Sequence, residues 1–325
     1  MSAPILVTGA AGFIGHATAH RLLARGETVI GIDNLNDYYD PALKRARLAS
    51  LERMPGFAFR MMDVADAPAV AAVMREHGAI RVIHLAAQAG VRHSIDHPFA
   101  YERSNVGGHL AVLEACRHQP GFVHLVYASS SSVYGDKPMG GQGFSEDEPS
   151  VSPVSLYAAT KRACELMSQS YATLYGFAQT GLRFFTVYGP WGRPDMAYFS
   201  FTRKILGGEP IEIFGQGRMA RDFTYIDDIV DGIIGALDHP PEQGGHRILN
   251  IGDSQPVGLM DMISTLERTL GRDAIKIMKP MQPGDVTATY ADVSKLNALT
   301  GYAPQVQLAE GLKRFVAWYR EYYGV

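Results

Sequence analysis

The chain of 325 residues is 46% hydrophobic and 19% charged, which excludes a disordered protein and allows one large α/β unit or two joined domains. A formal net charge of −3 gives no basic face for nucleic acid, so an acidic ligand must be held by a few placed arginines. The apolar start APILVTG lacks a basic flank or cleavage-type segment, and no run approaches the roughly 18–20 apolar residues of a membrane span; a cytoplasmic protein without membrane contact is expected.

In chain order, the apolar runs ILVTG, TVIGID, FAFRMMDV, RVIHLAA, FVHLVYASS and AQTGLRFFTV alternate with helix-like stretches beginning near Phe13, Pro41, Ala67, Pro98 and Val154. This spacing predicts an α/β fold on a Rossmann-type doubly wound parallel sheet, because parallel neighbours need crossover connections. ILVTGAAGFIG places Gly9, Gly12 and Gly15 after the first strand, at the opening of a helix that begins with Phe13 and Ile14. The spacing departs from G-x-G-x-x-G, yet the mechanism is shared: a sharp turn brings a diphosphate to the free N–H groups of a helix N-terminus. Asp33 closes the second strand about 20 residues later, followed by Asn34. A carboxylate there accepts both adenosine ribose hydroxyls and repels a 2′-phosphate, and no Arg follows directly, so NAD is expected over NADP. MDV ends the third run and offers Asp63 and Val64 to adenine.

The fifth run ends in YASSSSVYG, four serines set between apolar and aromatic residues where a flexible spacer is out of place. Downstream, SLYAATKRACELM puts Tyr157 and Lys161 one helical turn apart on one face. A phenol titrates near about 10 and an adjacent ammonium favours the phenolate, so such a pair suits proton exchange near neutral pH. Cys116 and Cys164 are too far apart for a metal cluster and read as buried spectators; the 11 histidines include no pair at metal-ligand spacing with Cys or carboxylate, and no metal site is expected. After Tyr188 the chain breaks into Gly/Pro-punctuated pieces with helices near 198–206, 257–270 and 308–322, a smaller α/β lobe. The expected division is a dinucleotide-binding domain over 1–185, with 223–250 returning to it, and a second lobe from 186–222 and 251–325.

Together with LAAQAG after the fourth run, these motifs resemble the extended short-chain dehydrogenase/reductase family, the NAD-dependent epimerases and dehydratases, over essentially the whole chain. The resemblance implies that Ser130, Tyr157 and Lys161 form the catalytic triad: Ser130 holds the reacting oxygen, Tyr157 exchanges its proton, and Lys161 binds the nicotinamide ribose. It adds Leu85, Ala86, Ala87, Gln88 and Asn105 to the cofactor site. Family dehydratases carry an Asp-Glu pair at the positions of Ser131 and Ser132, and decarboxylases a Glu at the second. Their absence implies epimerase chemistry, in which the C4 hydride leaves to NAD, the 4-keto sugar turns over, and the same hydride returns.

LRFFTVYGPWGRPDMA narrows the substrate. Hexose 4-epimerases usually carry Asn at the position of Thr186, whereas Thr186 and Arg193, facing Ser131 and Ser132, suit a planar anion, because arginine offers a bidentate fork to carboxylate. NLNDYYDPALK, PVSLYAATK, FFTVYGPWGRPDMA and GRMARDFTYIDDIV closely resemble UDP-glucuronic acid 4-epimerases. For the UDP moiety the resemblance implies Arg221 at the diphosphate and Asp285 at the uridine ribose. Gln282 replaces a second phosphate-binding arginine, for which Arg218 is a candidate substitute, and Arg92 is placed to reach the pocket. Homodimerisation through helices over roughly 98–116 and 154–175 is implied as well. The rival readings are a UDP-glucose or UDP-N-acetylglucosamine 4-epimerase, a net dehydrogenase, and a non-catalytic NAD sensor; Tyr38 and Tyr39 carry no role readable from sequence.

Overall fold

The computed structural model describes residues 3–136, 143–242, 244–281 and 288–325. The first half runs β1 (Ile5–Thr8), α1 (Phe13–Ala24), β2 (Val29–Asp33), α2 (Pro41–Glu52), β3 (Phe57–Met61), α3 (Ala67–His77) and β4 (Arg81–His84). Two short turns of helix, α4 (His93–Asp96) and α5 (Pro98–Tyr101), lead through a π-helical turn (Glu102–Gly107) into α6 (Gly108–His118), β5 (His124–Ser130), α7 (Leu156–Tyr175) and β6 (Ala178–Phe184). Then come β7 (Thr186–Tyr188), α8 (Ala197–Gly207), β8 (Ile211–Ile213), β9 (Ala220–Tyr225), α9 (Ile226–Asp238) and β10 (His246–Ile251). The chain closes with β11 (Pro256–Gly258), α10 (Leu259–Leu270), β12 (Lys276–Met278), β13 (Ala288–Thr289), α11 (Ser294–Thr300) and α12 (Leu308–Tyr323). Helix starts follow their capping chemistry: Asp40 and Asp66 cap α2 and α3 just before a proline, and the Ser155 Oγ accepts from the Ala158 N–H at the head of α7.

Seven strands form one parallel sheet in the order β10-β6-β5-β4-β1-β2-β3. The order reverses between β1 and β4, and ligands of such sheets bind beyond the strand ends at that point. Because helices cover both faces, β1 and β6 are buried along their whole length; β1 opens with the apolar run Ile5–Val7, whereas β6 also buries Gln179, Thr180 and Arg183. A smaller sheet gathers β7, β9, β11 and β13, with β9 at its centre, and β8 pairs with β12. One apolar core runs from α1 and α9 on the large sheet into α8, α10 and α12 of the lobe, so the two parts share a core.

Two expectations need correction. The run AQTGLRFFTV is two strands in different sheets, broken where the Phe185 N–H turns to donate to Ile251 O (3.2 Å). Phe223 does not begin the return to the large sheet: it sits in β9, paired with Thr186 of the small sheet, and the return is made by α9 and β10. Cys116 and Cys164 are both buried and free, and among the described residues no cluster could hold a metal ion and no helix is long and apolar enough to cross a membrane.

Candidate active site

The chain leaves β1 through Gly9, whose φ of +73° an L side chain rarely adopts. A Cβ there would lie 2.8 Å from the Ala86 nitrogen, and one on Gly15 would lie 2.0 Å from Gly9 O. Backbone therefore packs on backbone between the loops after β1 and β4, and α1 opens with N–H groups that have no intrahelical acceptor. A cleft of about 250 Å³ runs along this edge; Gly9, Gly12, Phe13, Ile14, Gly15, Asp33, Asn34, Asp63, Val64, Leu85, Ala86, Ala87 and Gln88 all lie on its wall. The Asp33 carboxylate is fixed by accepting from the Ala11 N–H (3.1 Å) and the Leu35 N–H (2.8 Å). Asp63 is held by the Ala65 N–H (2.9 Å) and Arg103 (2.9 Å). Lys44, which the motifs did not single out, also reaches this wall; its ammonium donates to Asn36 O (2.7 Å), and burial pushes it below the usual lysine range.

Asn105, expected at the cofactor site, is buried beside the cleft and is not among the residues of its wall. Its Oδ1 accepts from the Gln88 N–H (2.8 Å) and its Nδ2 donates to Gln88 O (3.1 Å) and Thr160 Oγ1 (3.0 Å), which uses the amide to brace the β4 loop against α7. The extra residue of the π-helical turn carries it inward.

At the other end of the cleft, β5 delivers Ser130 and α7 delivers Tyr157 and Lys161. All three line the cleft. The Ser130 Oγ accepts from the Ser132 N–H (3.2 Å) and shares a 2.7 Å hydrogen bond with the Ser132 hydroxyl. Lys161, 5% exposed, donates to Ala128 O (2.8 Å), which anchors the ammonium to β5 and leaves it further N–H donors. Ser129 beside them donates to Glu165 (2.6 Å), which is bound by Arg183 in a buried pair at 2.8 Å.

A second cavity of about 700 Å³ continues from there between the large sheet and the lobe. Ser131, Ser132, Thr186, Arg92, Arg193 and Arg221 line it, and Ser130, Tyr157, Tyr38, Arg193 and Met196 belong to the walls of both spaces. The Arg92 guanidinium lies 5.1 Å from the centre of the Phe214 ring, and Arg221 donates to Ala220 O (2.8 Å). Arg193 does not present its whole fork: Nε donates to Asp195 Oδ1 (3.0 Å) and Nη2 to Oδ2 (2.5 Å), so the side-on edge is taken by Asp195. Burial opposes the charge on Asp195, but the Arg193 guanidinium outweighs it and holds the carboxyl below the usual range.

Arg218, the candidate second phosphate-binding arginine, precedes β9 and is exposed; it is not among the residues of the cavity wall, on which Met219, Arg221 and Phe223 lie. Asp285 and Gln282 lie outside the described residues. Sequence reasoning missed Asp195, Met196 and Lys44. Asp195 carried a signal, an acid two residues from an arginine, but its Tyr38 partner lies 157 positions away.

The NAD dependent epimerase/dehydratase family matches residues 5–252. UDP-glucuronate 4-epimerase 3 of Arabidopsis thaliana is 47% identical over 98% of this chain and 77% of its own length. The probable UDP-glucuronate 4-epimerase of Rhizobium meliloti is 45% identical over 98% and 97%. Among solved structures, UDP-glucuronic acid 4-epimerase from Bacillus cereus in complex with UDP-glucuronic acid and NAD superposes with a TM-score of 0.92 at 36% identity, covering 98% of this chain and all of that one. The fold, the glycine-backed cleft and these matches agree, and the chain belongs to the NAD-dependent epimerase/dehydratase family.

Proposed function

We infer that the chain interconverts UDP-glucuronic acid and UDP-galacturonic acid at C4 with NAD. The observation that carries this reading is the meeting of Ser130 and Tyr157 at the shared wall of two spaces, with uncharged Ser131 and Ser132 beside them and Arg193 on the same wall. The cleft suits NAD because Gly9 and Gly15, where added Cβ atoms would strike neighbouring backbone, let the loops after β1 and β4 pack tightly at the head of α1, and because Asp33 stands ready for ribose hydroxyls. When bound, NAD takes up the C4 hydride and gives it back.

The chain's own residues do the rest. Ser130 Oγ hydrogen-bonds the C4 oxygen while Tyr157 removes its proton, then restores it after the 4-keto sugar has turned its other face. Lys161, held on Ala128 O, binds the nicotinamide ribose. Arg221 and Arg92 hold the UDP diphosphate, with Asp285 at the uridine ribose; firm grip on UDP leaves the sugar free to turn.

Oxidation at C4 makes a β-keto acid, which loses carbon dioxide when its C5–C6 bond stands perpendicular to the carbonyl plane. Ser131, Ser132, Thr186 and Arg193 pin the carboxylate away from that alignment and leave its charge in place. Purified protein without added cofactor is expected to convert UDP-glucuronic acid to UDP-galacturonic acid, resolved chromatographically, with UDP-glucose turned over poorly. Arg193→Met is expected to raise decarboxylated pentose relative to epimer by about tenfold, the worth of one charge-assisted hydrogen bond. Weaker binding with no pentose product contradicts the pinning role.

We also propose a homodimer. Phe99 (83%), Leu110 (41%) and Leu166 (56%) are exposed on α5, α6 and α7, the helices the family resemblance implicates. Sedimentation is expected to give twice the chain mass, and Leu166→Glu a shift toward monomer; an unmutated monomer at micromolar concentration rejects it. Two free cysteines and the NAD requirement suit the cytoplasm, which cell fractionation checks.

A further inference from the structure

We propose that Asp195 and Tyr38 are positioning residues that aim the Arg193 guanidinium, and thereby set the preference for a uronate over a neutral hexose. The proposal rests on the uronate reading above. Asp195 spans the side-on edge of Arg193, binding Nε and one N–H of Nη2 together, and leaves the end-on edge, Nη1 and the second N–H of Nη2, outside that contact. A bidentate hold fixes the plane of a guanidinium, and the plane is what a second carboxylate reads.

Asp195 is itself fixed from the cofactor side. The Tyr38 hydroxyl donates to Asp195 Oδ2 (3.1 Å), and burial together with Asp195 pushes Tyr38 up to about 12, so the phenol keeps the proton it donates. Tyr38 in turn packs on His93 at 4.7 Å between ring centres, and Gly90 leaves room for its hydroxyl, since a Cβ there would come within 2.4 Å of it. The neighbouring tyrosine serves the same turn by another route. Fully buried Arg47 donates to Tyr39 Oη (2.7 Å), to Ala11 O in the glycine loop (3.1 Å), and to Trp191 O (2.5 Å) and Gly192 O (3.0 Å). Trp191 has a φ of +63°, so Arg47 holds an unfavourable backbone in place two residues before Arg193. Two motifs without an assigned role, NDYYD and the PD after Arg193, thus meet as one clamp between the glycine loop and the sugar cavity.

Charge and aim predict opposite outcomes. As a unit the Arg193–Asp195 pair is neutral, so Asp195→Asn adds net positive charge to the pocket; if charge governed recognition the uronate would bind tighter. If aim governs, preference falls. The test uses NAD-loaded protein in a Tyr157→Phe background, with affinities for UDP-glucuronic acid, UDP-glucose and UDP measured by calorimetry. Asp195→Asn is expected to cut the preference for UDP-glucuronic acid over UDP-glucose by about tenfold, and Tyr38→Phe by about threefold, with UDP affinity within about twofold of unmutated. Asp195→Glu is expected to recover part of the loss. An Asp195→Asn protein whose preference is unchanged or stronger, or whose UDP affinity falls in step, overturns the proposal alone. Absence of any uronate preference in the unmutated protein overturns the functional reading and this proposal with it.

Discussion

Tyr157→Phe is expected to lower kcat by about a thousandfold, within the 10²–10⁴ range typical of a positioned acid or base, while leaving NAD and UDP affinity nearly unchanged. The substitution removes one oxygen and little shape. The Phe ring keeps the edge contact with Tyr101, 6.1 Å between centres, and the Tyr157 carbonyl still accepts from the Thr160 hydroxyl (2.8 Å). The other described polar side chains at the junction are already engaged: Ser130 and Ser132 share a hydrogen bond, Lys161 is tied to β5, and Tyr38 and Arg193 both donate to Asp195. Steady-state kinetics beside calorimetric titration with UDP separates the two effects. A fall in kcat matched by lost UDP affinity would mean a disturbed pocket instead of a missing acid and base.

The largest stability effect is expected behind the serines. Arg183 and Glu165 are 3% and 1% exposed and joined by two hydrogen bonds, Nε to Oε1 (2.8 Å) and Nη2 to Oε2 (2.9 Å). Ser129 and Arg162 complete the carboxylate's partners, and Ser150 takes a further Arg183 N–H (3.1 Å). Arg183→Met leaves Glu165 ionised in a nearly dry site and is expected to cost about 3–5 kcal/mol, whereas replacing both members by apolar residues costs less. Burial pushes Glu165 up, but Arg183, Ser129 and Arg162 outweigh it and hold the folded pKa below the ordinary value of 4.5. The carboxylate therefore stabilises the fold fully above that value, and the contribution disappears as pH falls through the lowered folded pKa. Denaturant titrations near pH 7 and pH 3 are expected to show this acid loss in the unmutated protein and a flatter dependence in Glu165→Gln. Because Ser129 joins the pair to the end of β5, Ser130 depends on the same scaffold.

The cofactor edge was readable because its requirements are local. A glycine where the chain must turn at positive φ, and an acid closing the next strand, are demanded by backbone geometry within about 30 residues, the span of one βαβ unit. The sugar edge is assembled from distant segments, and there the reading was partial. Arg218 lies just before β9 and off the cavity wall, and the turn that places it, with Gly215, Gln216 and Gly217 all at positive φ, is not dictated by apolar pattern. Phe223 was placed in the wrong sheet because a buried strand carries the same composition whichever neighbour it pairs with. The hold of Asn105 on Gln88 was not legible, because sequence gives the helix and not the depth at which a π-helical turn sets a side chain. The Tyr38–Asp195–Arg193 chain joins residues on opposite sides of the site, and only the fold brings them together.

The central claim is that one hydrogen leaves C4 of the sugar and comes back to the same carbon inside a closed cycle. UDP-glucuronic acid carrying deuterium at C4 tests this most directly when turned over in ordinary water without added NAD. Mass spectrometry of the UDP-galacturonic acid formed is expected to find the label fully retained at C4, with slowed turnover relative to unlabelled substrate. Product that has exchanged its label for solvent hydrogen, or that forms only with stoichiometric added NAD, would contradict the account.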